Sequence, residues 1–376
     1  MVETRRLAGS RNKKDKNPPV LSHDFIIQNH GDIMSCVLMV FIVGIMFPIS
    51  AGLTISFVAP QYNSTYEYKT PEGVDTEMHG YKNGWLDWCT ISFYTVAWIV
   101  VHAIIQEYVL DKLQRKAHLS KVSTFKFTES GHMLAFTAYA MGHAGVLISE
   151  YAKTNFNVTA LWAGYPAEHS IMNVNYKLFY IFNIAYWIHQ FPEFYFQKLK
   201  KEEMRFKTFV SAAFLVHILI AYFMNFTRVG VVLLFIEYLV QFIFHLARMF
   251  HYMDRKNSSK TLFRIYNIVF VLARLLTILI VVTVFWYGLR QSEIPQWDIE
   301  AGNFNSGFNR LNVMLFVITS QIILLGLYAM YHIGKFSGSK KEKKKSSASQ
   351  PILPKKKRND SQSETDTESK SLKKKN

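Results

Sequence analysis

The sequence predicts an all-α polytopic membrane protein with about eight transmembrane helices, and three observations carry that prediction. Half of the 376 residues are hydrophobic, yet mean hydropathy is only +0.07 because a long polar tail offsets very apolar segments. Apolar runs near the length a hydrocarbon core demands recur at 33–58, 86–110, 131–150, 178–196, 208–224, 229–249, 264–287 and 313–334. The loops between them alternate between rich and poor in Lys and Arg.

In chain order, residues 1–32 read as a cytosolic arm. The arm is polar and basic, and its first apolar run begins too far from Met1 for a cleavable signal peptide. Ser22 is placed to N-cap a short amphipathic helix with Phe25, Ile26 and Ile27 toward the membrane interface. Residues 33–116 hold the first two spans and a loop, 117–334 hold six more, and 335–376 form a basic tail without apolar period.

The Lys and Arg counts set the orientation. Loop 111–127 carries Lys112, Arg115, Lys116, Lys121 and Lys126. Loop 197–207 carries Lys198, Lys200, Lys201, Arg205 and Lys207, and loop 250–263 carries Arg255, Lys256 and Lys260. Opposite them, 59–85 has only Lys69 and Lys82, and 288–312 only Arg290 and Arg310. The positive-inside rule therefore puts both termini in the cytosol. Of the sequons, Asn63 and Asn157 fall in lumenal loops and are the expected glycan acceptors. Asn225 sits in a turn too tight to be reached, and Asn257 is cytosolic.

The net charge of +16 is concentrated at membrane flanks and in the tail, where 335–376 hold 14 Lys and Arg against 5 Asp and Glu. Basic residues that flank apolar runs are juxtamembrane charge and do not mark a soluble nucleic-acid-binding domain. Cys36 and Cys89 lie inside apolar runs, which excludes a disulfide framework and a cysteine metal site. In the tail, Ser361, Ser363 and Thr365 each have an acidic residue three places on, the pattern of acidophilic phosphorylation. Lys373 and Lys374 occupy the dilysine positions of an endoplasmic reticulum retrieval signal.

Polar side chains inside apolar runs are expensive and normally face a bundle or cavity. His102 and Gln106, and His189 and Glu193, are spaced four apart on their helices. His217 stands on the fifth run, and Glu237, Gln241 and His245 share one face of the sixth. Arg274 lies some ten residues into the seventh, too deep to snorkel, and Glu237 is the carboxylate at matching depth. These eight residues (Glu193 aside) are the candidate polar cavity or buried pairs. No HExxH or other closed ligand set appears, so inter-helix hydrogen bonding is preferred to a metal, and no cofactor is implied.

Tyr186-Trp187, the Asn225-x-x-Arg228-x-Gly230 turn, the stretch Glu237 to Met249 and Phe250-x-Tyr252 resemble the lipid-sensing domain shared by ceramide synthases and the TRAM family of translocating-chain-associated membrane proteins. The segment Asn17 to Cys36, His102-Ala-Ile-Ile-Gln-Glu107-Tyr-Val-Leu-Asp-Lys112, Ala185 to Lys198 and Gly302-Asn-Phe-Asn305 resemble the TRAM pattern specifically. The resemblance implies that 117–334 is a six-helix lipid-sensing-type ring with the first two spans outside it. Ceramide synthases carry a His pair before the turn and a His-Asp and a second Asp after it. Counted from Arg228-x-Gly230, those positions are Val210 and Ser211, then Glu237 and Tyr238, then Gln241, so no catalytic side chain is kept.

What the resemblance implies is a non-catalytic accessory factor of the endoplasmic reticulum. Its partners would be the protein-conducting channel, signal sequences, nascent membrane proteins and membrane lipid, with the ribosome reached through basic cytosolic segments. The alternatives are a ceramide-synthase-like acyltransferase using His217, Glu237 and His245, and a lipid-binding carrier or sensor.

Overall fold

The computed structural model describes residue 19 and residues 22–69, 75–155, 157–197 and 199–348. Its contacts divide the chain into a unit Met1–Ile323 and a unit Leu324–Asn376. The proposed retrieval lysines Lys373 and Lys374 and the phosphorylation candidates Ser361, Ser363 and Thr365 lie outside the described residues.

The chain is an all-α polytopic membrane protein. Helices α1 (His23–Gln28), α2 (His30–Met46) and α3 (Pro48–Val58) lead into a hairpin of β1 (Asn63–Lys69) and β2 (Asp75–Tyr81). Helix α4 (Asp87–Ile105) continues through a π-helical turn, Gln106–Leu110, into α5 (Asp111–Ala117). Then come α6 (Lys121–Asn155), the short α7 (Ala167–Ser170), α8 (Val174–Phe196), α9 (Lys201–Phe223), α10 (Thr227–Tyr252), α11 (Lys256–Val281) and α12 (Gly307–Ala348). Among the described residues, five helical segments are long and apolar enough to cross a membrane: 87–117, 201–223, 227–252, 256–292 and 307–334. The long α6 and α8 carry more polar residues, and α2 has 17 residues.

Side-chain contacts fix how the rods run. Asp87 meets Lys177, Tyr94 meets Phe182 and His102 meets Glu193, so α4 and α8 are parallel. Tyr180 stacks on Tyr222 and Trp187 on Phe214, so α8 and α9 are antiparallel. Glu129 pairs with Arg248 near one end of α6 and α10, while Gly145 faces Phe235 further along, again antiparallel.

The centre is packed with rings. Phe136, Tyr180, Tyr186, Trp187, Tyr222 and Tyr238 are all buried in the main apolar cluster. Phe214 stacks between Trp187 and Tyr238 at centroid distances of 4.2 and 6.4 Å. Such rings bury large areas, and their polar tips find partners: Tyr238 donates to Asn183 Oδ1 at 2.6 Å and accepts from Trp187 Nε1 at 3.2 Å.

Two expectations are corrected by the fold. The run 33–58 is not one helix, because it breaks at Phe47-Pro48 and α3 folds back along α2. Proline lacks the N–H and disfavours a helical residue before it, and Phe47 accordingly has φ −102° and ψ 123°. Gly44 makes the return possible, since a Cβ there would stand 2.6 Å from Thr54 Cγ2. Phe41 and Phe57 close the pair at 5.0 Å. Helix α4, in the second run, packs along α8, with Ile91 in the main core and Trp98 against it. Second, α1 keeps its Ser22 cap, but Ile27 is buried and His23 hydrogen-bonds Tyr195 of α8. This short helix therefore docks on protein, leaving Ile26 exposed.

Candidate functional site

The Asn225–Gly230 turn is the junction of the hairpin end. Asn225 takes a left-handed φ of 57°, which Asn tolerates better than most residues. Its Nδ2 donates to Gly302 O at 2.9 Å, and its Oδ1 accepts from Asn83 Nδ2 at 2.9 Å. Arg228 donates to the carbonyls of Ala160 and Ala163, both at 3.1 Å, and pairs with Glu168 at 2.9 Å. Gly230 permits the close approach of α8 and α9, because a Cβ there would lie 2.4 Å from Tyr180 Oη and 2.7 Å from Ala221 Cβ. The motif thus ties three loops and three helices together, and Asn225, fully used and buried, cannot carry a glycan. Asn63 and Asn157 are both exposed.

Beside this junction lies an ion pair that sequence reading missed. Lys177 and Asp87 are 2.7 Å apart with both side chains 0% exposed. Lys177 Nζ also donates to Gln61 O and Lys82 O at 2.7 and 2.6 Å. Asp87 Oδ2 accepts from Tyr222 Oη at 2.8 Å and from the Gly84 N–H at 2.9 Å. Nearby, His169 is buried against Ala163 O at 3.0 Å. Burial, with the Arg228 charge adding to it, pushes His169 down to about 3. Tyr165 donates to Met224 O at 3.0 Å and is pushed up to about 12 by burial.

At mid-depth, α9 to α12 share a polar track. Arg274, 1% exposed, pairs with Glu237 and donates to Gln321 Oε1 at 2.7 Å. Gln321 reaches Ser320 Oγ at 3.3 Å, and Ser320 lies 3.4 Å from His217 Nε2. His217 Nδ1 donates to Ala213 O at 2.7 Å, and its ring stacks on Phe316. Gln241 Nε2 approaches Glu237 Oε1 at 3.4 Å. His245 takes no part in this track: it is buried further along α10 with Nδ1 unpaired.

A second cluster joins α4, α6 and α8. His102 Nε2 is 3.2 Å from Glu193 Oε1, and His132 Nε2 donates to Gln106 Oε1 at 3.0 Å. His102 and His132 stack face to face at 3.5 Å, and His189 donates to Tyr186 O. His30 Nε2 stands 3.9 Å from Glu193 Oε2. Stacked rings do not converge their nitrogens, and no metal-holding group of three His, Cys, Asp or Glu occurs among the described residues. The adjoining cavity, about 10 Å³ between Trp98, His102, His132, Tyr186 and His189, is at the lower limit for one water. Sequence reasoning found His102, Gln106 and His189 but missed His132 and His30; only the packing of α6 and α2 brings those two in.

At the acyl-transfer positions, Ser211 is buried and Tyr238 belongs to the ring core through Asn183 and Trp187. Glu237 is engaged by Arg274, and no hydrogen bond or ion pair joins it to His217 or His245.

The helical bundle organised on the Asn225–Gly230 junction defines a TLC-domain membrane protein, and a family profile described as TLC domain matches residues 120–333. The chain belongs more narrowly to the translocating chain-associated membrane protein family. It is 38% identical over 314 residues to translocating chain-associated membrane protein 2 of Mus musculus, covering 83% of this chain and 82% of that relative. The Homo sapiens protein of the same name gives the same identity and coverage.

Proposed function

We propose that this chain is a non-catalytic accessory factor of the endoplasmic reticulum protein-conducting channel. It contacts signal sequences and nascent transmembrane segments and eases their entry into lipid. The observation that carries the proposal is the 38% identity, over 83% of the chain, to proteins named for association with translocating chains. The replacement of the acyl-transfer positions by Val210, Ser211 and Tyr238 supports a physical role.

In this proposal the chain crosses the membrane eight times with both termini cytosolic. Asn63 and Asn157 carry glycan, Lys373 and Lys374 return the protein to the endoplasmic reticulum, and tail phosphorylation at Ser361, Ser363 and Thr365 lowers the charge near membrane or ribosome. The polar track of α9 to α12 offers partners at a depth where a central charge otherwise costs about 2.5–3.5 kcal/mol. The folded-back α2 and α3 expose Val40, Met46 and Ile49 and supply the face toward the channel or lipid.

Crosslinking from a stalled nascent chain bearing a signal sequence tests the proposal, with adducts to this chain expected. Acyl-CoA-dependent ceramide formation by the purified protein, abolished by His217→Ala, would overturn it.

A further inference from the structure

The mid-depth track is not symmetric in charge. Arg274 is 1% exposed and is held by both Glu237 and Gln321, so nothing outside the bundle reaches it. The Glu237 side chain is 22% exposed. Its Oε2 pairs with Arg274, while Oε1 has only the 3.4 Å approach of Gln241 Nε2. A carboxylate oxygen accepts two hydrogen bonds, so Oε1 keeps spare acceptor capacity on the partner of the pair that is exposed. The other members of the track are engaged elsewhere: His217 Nδ1 is committed to Ala213 O, and the Ser320 hydroxyl donates to Val317 O at 2.6 Å. The reachable charge of the pair is therefore negative, and no cationic donor of the track faces outward with it.

From this asymmetry we infer that Glu237 is a mid-membrane docking site for the ammonium or guanidinium group of a basic side chain on an entering membrane segment. Resting on the proposed role, it names the class of segment served: those with a central Lys or Arg. The cation takes Oε1 without displacing Arg274 from Oε2, so the buried pair stays intact while the visitor is neutralised. A central Glu or Asp gains nothing, because Arg274 is screened from it. A lipid amine carries the same chemistry but sits at the headgroup level, away from this depth.

The test uses the full-length protein in microsomes with Phe316 replaced by benzoylphenylalanine. Phe316 is 39% exposed and stacks on His217 at 4.4 Å, so a photoprobe there samples the mouth of the site. Stalled nascent chains present one apolar segment with Leu, Gln, Lys or Glu at its centre. The Lys segment should crosslink about three- to fivefold more than the Gln segment, the size expected of one partly exposed ion pair. In Glu237→Gln/Arg274→Gln, which neutralises both partners and leaves no buried charge unpaired, that preference should vanish while the Leu segment crosslinks as before. A Lys preference that survives the double change, or equal capture of the Glu segment, would overturn the inference while leaving the accessory role standing. Failure of every segment to crosslink, the Leu segment included, would sink the accessory role and this inference with it.

Discussion

The two buried ion pairs of this bundle are built to opposite specifications. Asp87–Lys177, at the hairpin end, has both side chains at 0% exposure and further partners on Gln61, Lys82, Gly84 and Tyr222. Glu237–Arg274, at mid-depth, encloses its cation and leaves one carboxylate oxygen nearly free. Full enclosure makes the first a clamp, since no ligand reaches either charge without opening the site. An exposed carboxylate with acceptor capacity to spare makes the second a place where something can bind. A buried pair is weak evidence for stability alone, so the partners left over decide its role.

The largest effect is expected at the clamp. Lys177→Met leaves the Asp87 carboxylate without its cation in a fully enclosed site and should cost about 3–5 kcal/mol. Asp87→Asn/Lys177→Met removes both charges and should recover most of that loss, because replacing a whole buried pair is often near neutral. Denaturation of the purified protein in detergent checks both; a double variant as unstable as the single would mean the pair is not the source of the clamp.

Glu237→Gln should cost less, about 1.5–3 kcal/mol, the scale of one hydrogen bond to a charged group. Arg274 keeps Gln321 and the new amide oxygen, and partial exposure softens the penalty. The same denaturation experiment reads it. Equal losses for Lys177→Met and Glu237→Gln would erase the distinction between the pairs.

Acid should weaken the clamped end. The folded value of His169, about 3, lies below its ordinary 6.5, so folded protein resists protonation that unfolded chain accepts. Its stabilisation is whole above pH 6.5, and it is lost as pH falls toward the folded value. At pH 5.5 the loss is on the order of 1 kcal/mol. His169→Gln should remove that share of the acid sensitivity, read as the difference in pH dependence between wild type and variant. Identical pH profiles would show that His169 is not a sensor of this end.

The mid-depth pair is partly legible in the sequence, whereas the clamp is not. An Arg some ten residues inside an apolar run cannot reach water, and Glu237 is a carboxylate at similar depth, so both stand out from pattern alone. Asp87 and Lys177 lie at the ends of apolar runs, where a charge ordinarily reaches water, and it takes the backbone at Gln61 and Lys82, laid against α8, to enclose them. His245 shows the opposite failure: four-residue spacing puts it on the face of Glu237 and Gln241, but α10 is long enough that it meets other neighbours. The helical runs themselves were readable from apolar length. The break at Pro48 was also present in the sequence, but a run apolar throughout reads as one helix unless the missing N–H is given its weight.

The smallest effect expected is also the most discriminating. Gln241→Leu removes the hydrogen-bond donor that, among the described residues, approaches Glu237 Oε1, through a contact of 3.4 Å that is near the limit of a hydrogen bond. The Gln241 Oε1 atom is itself buried without a partner, so the substitution also deletes an unsatisfied acceptor. The two terms oppose each other, and an i, i+4 side-chain pair on one helix is worth only about 0.2–0.5 kcal/mol. Stability should therefore shift by less than about 1 kcal/mol in either direction. Crosslinking of a Lys-centred segment should rise or hold, because Oε1 becomes more open to a visiting cation. A loss well beyond that range in the detergent denaturation experiment would mean that Gln241 holds Glu237 firmly and that its second oxygen is not spare. The two pairs would then be alike, and the mid-depth site would be a second clamp.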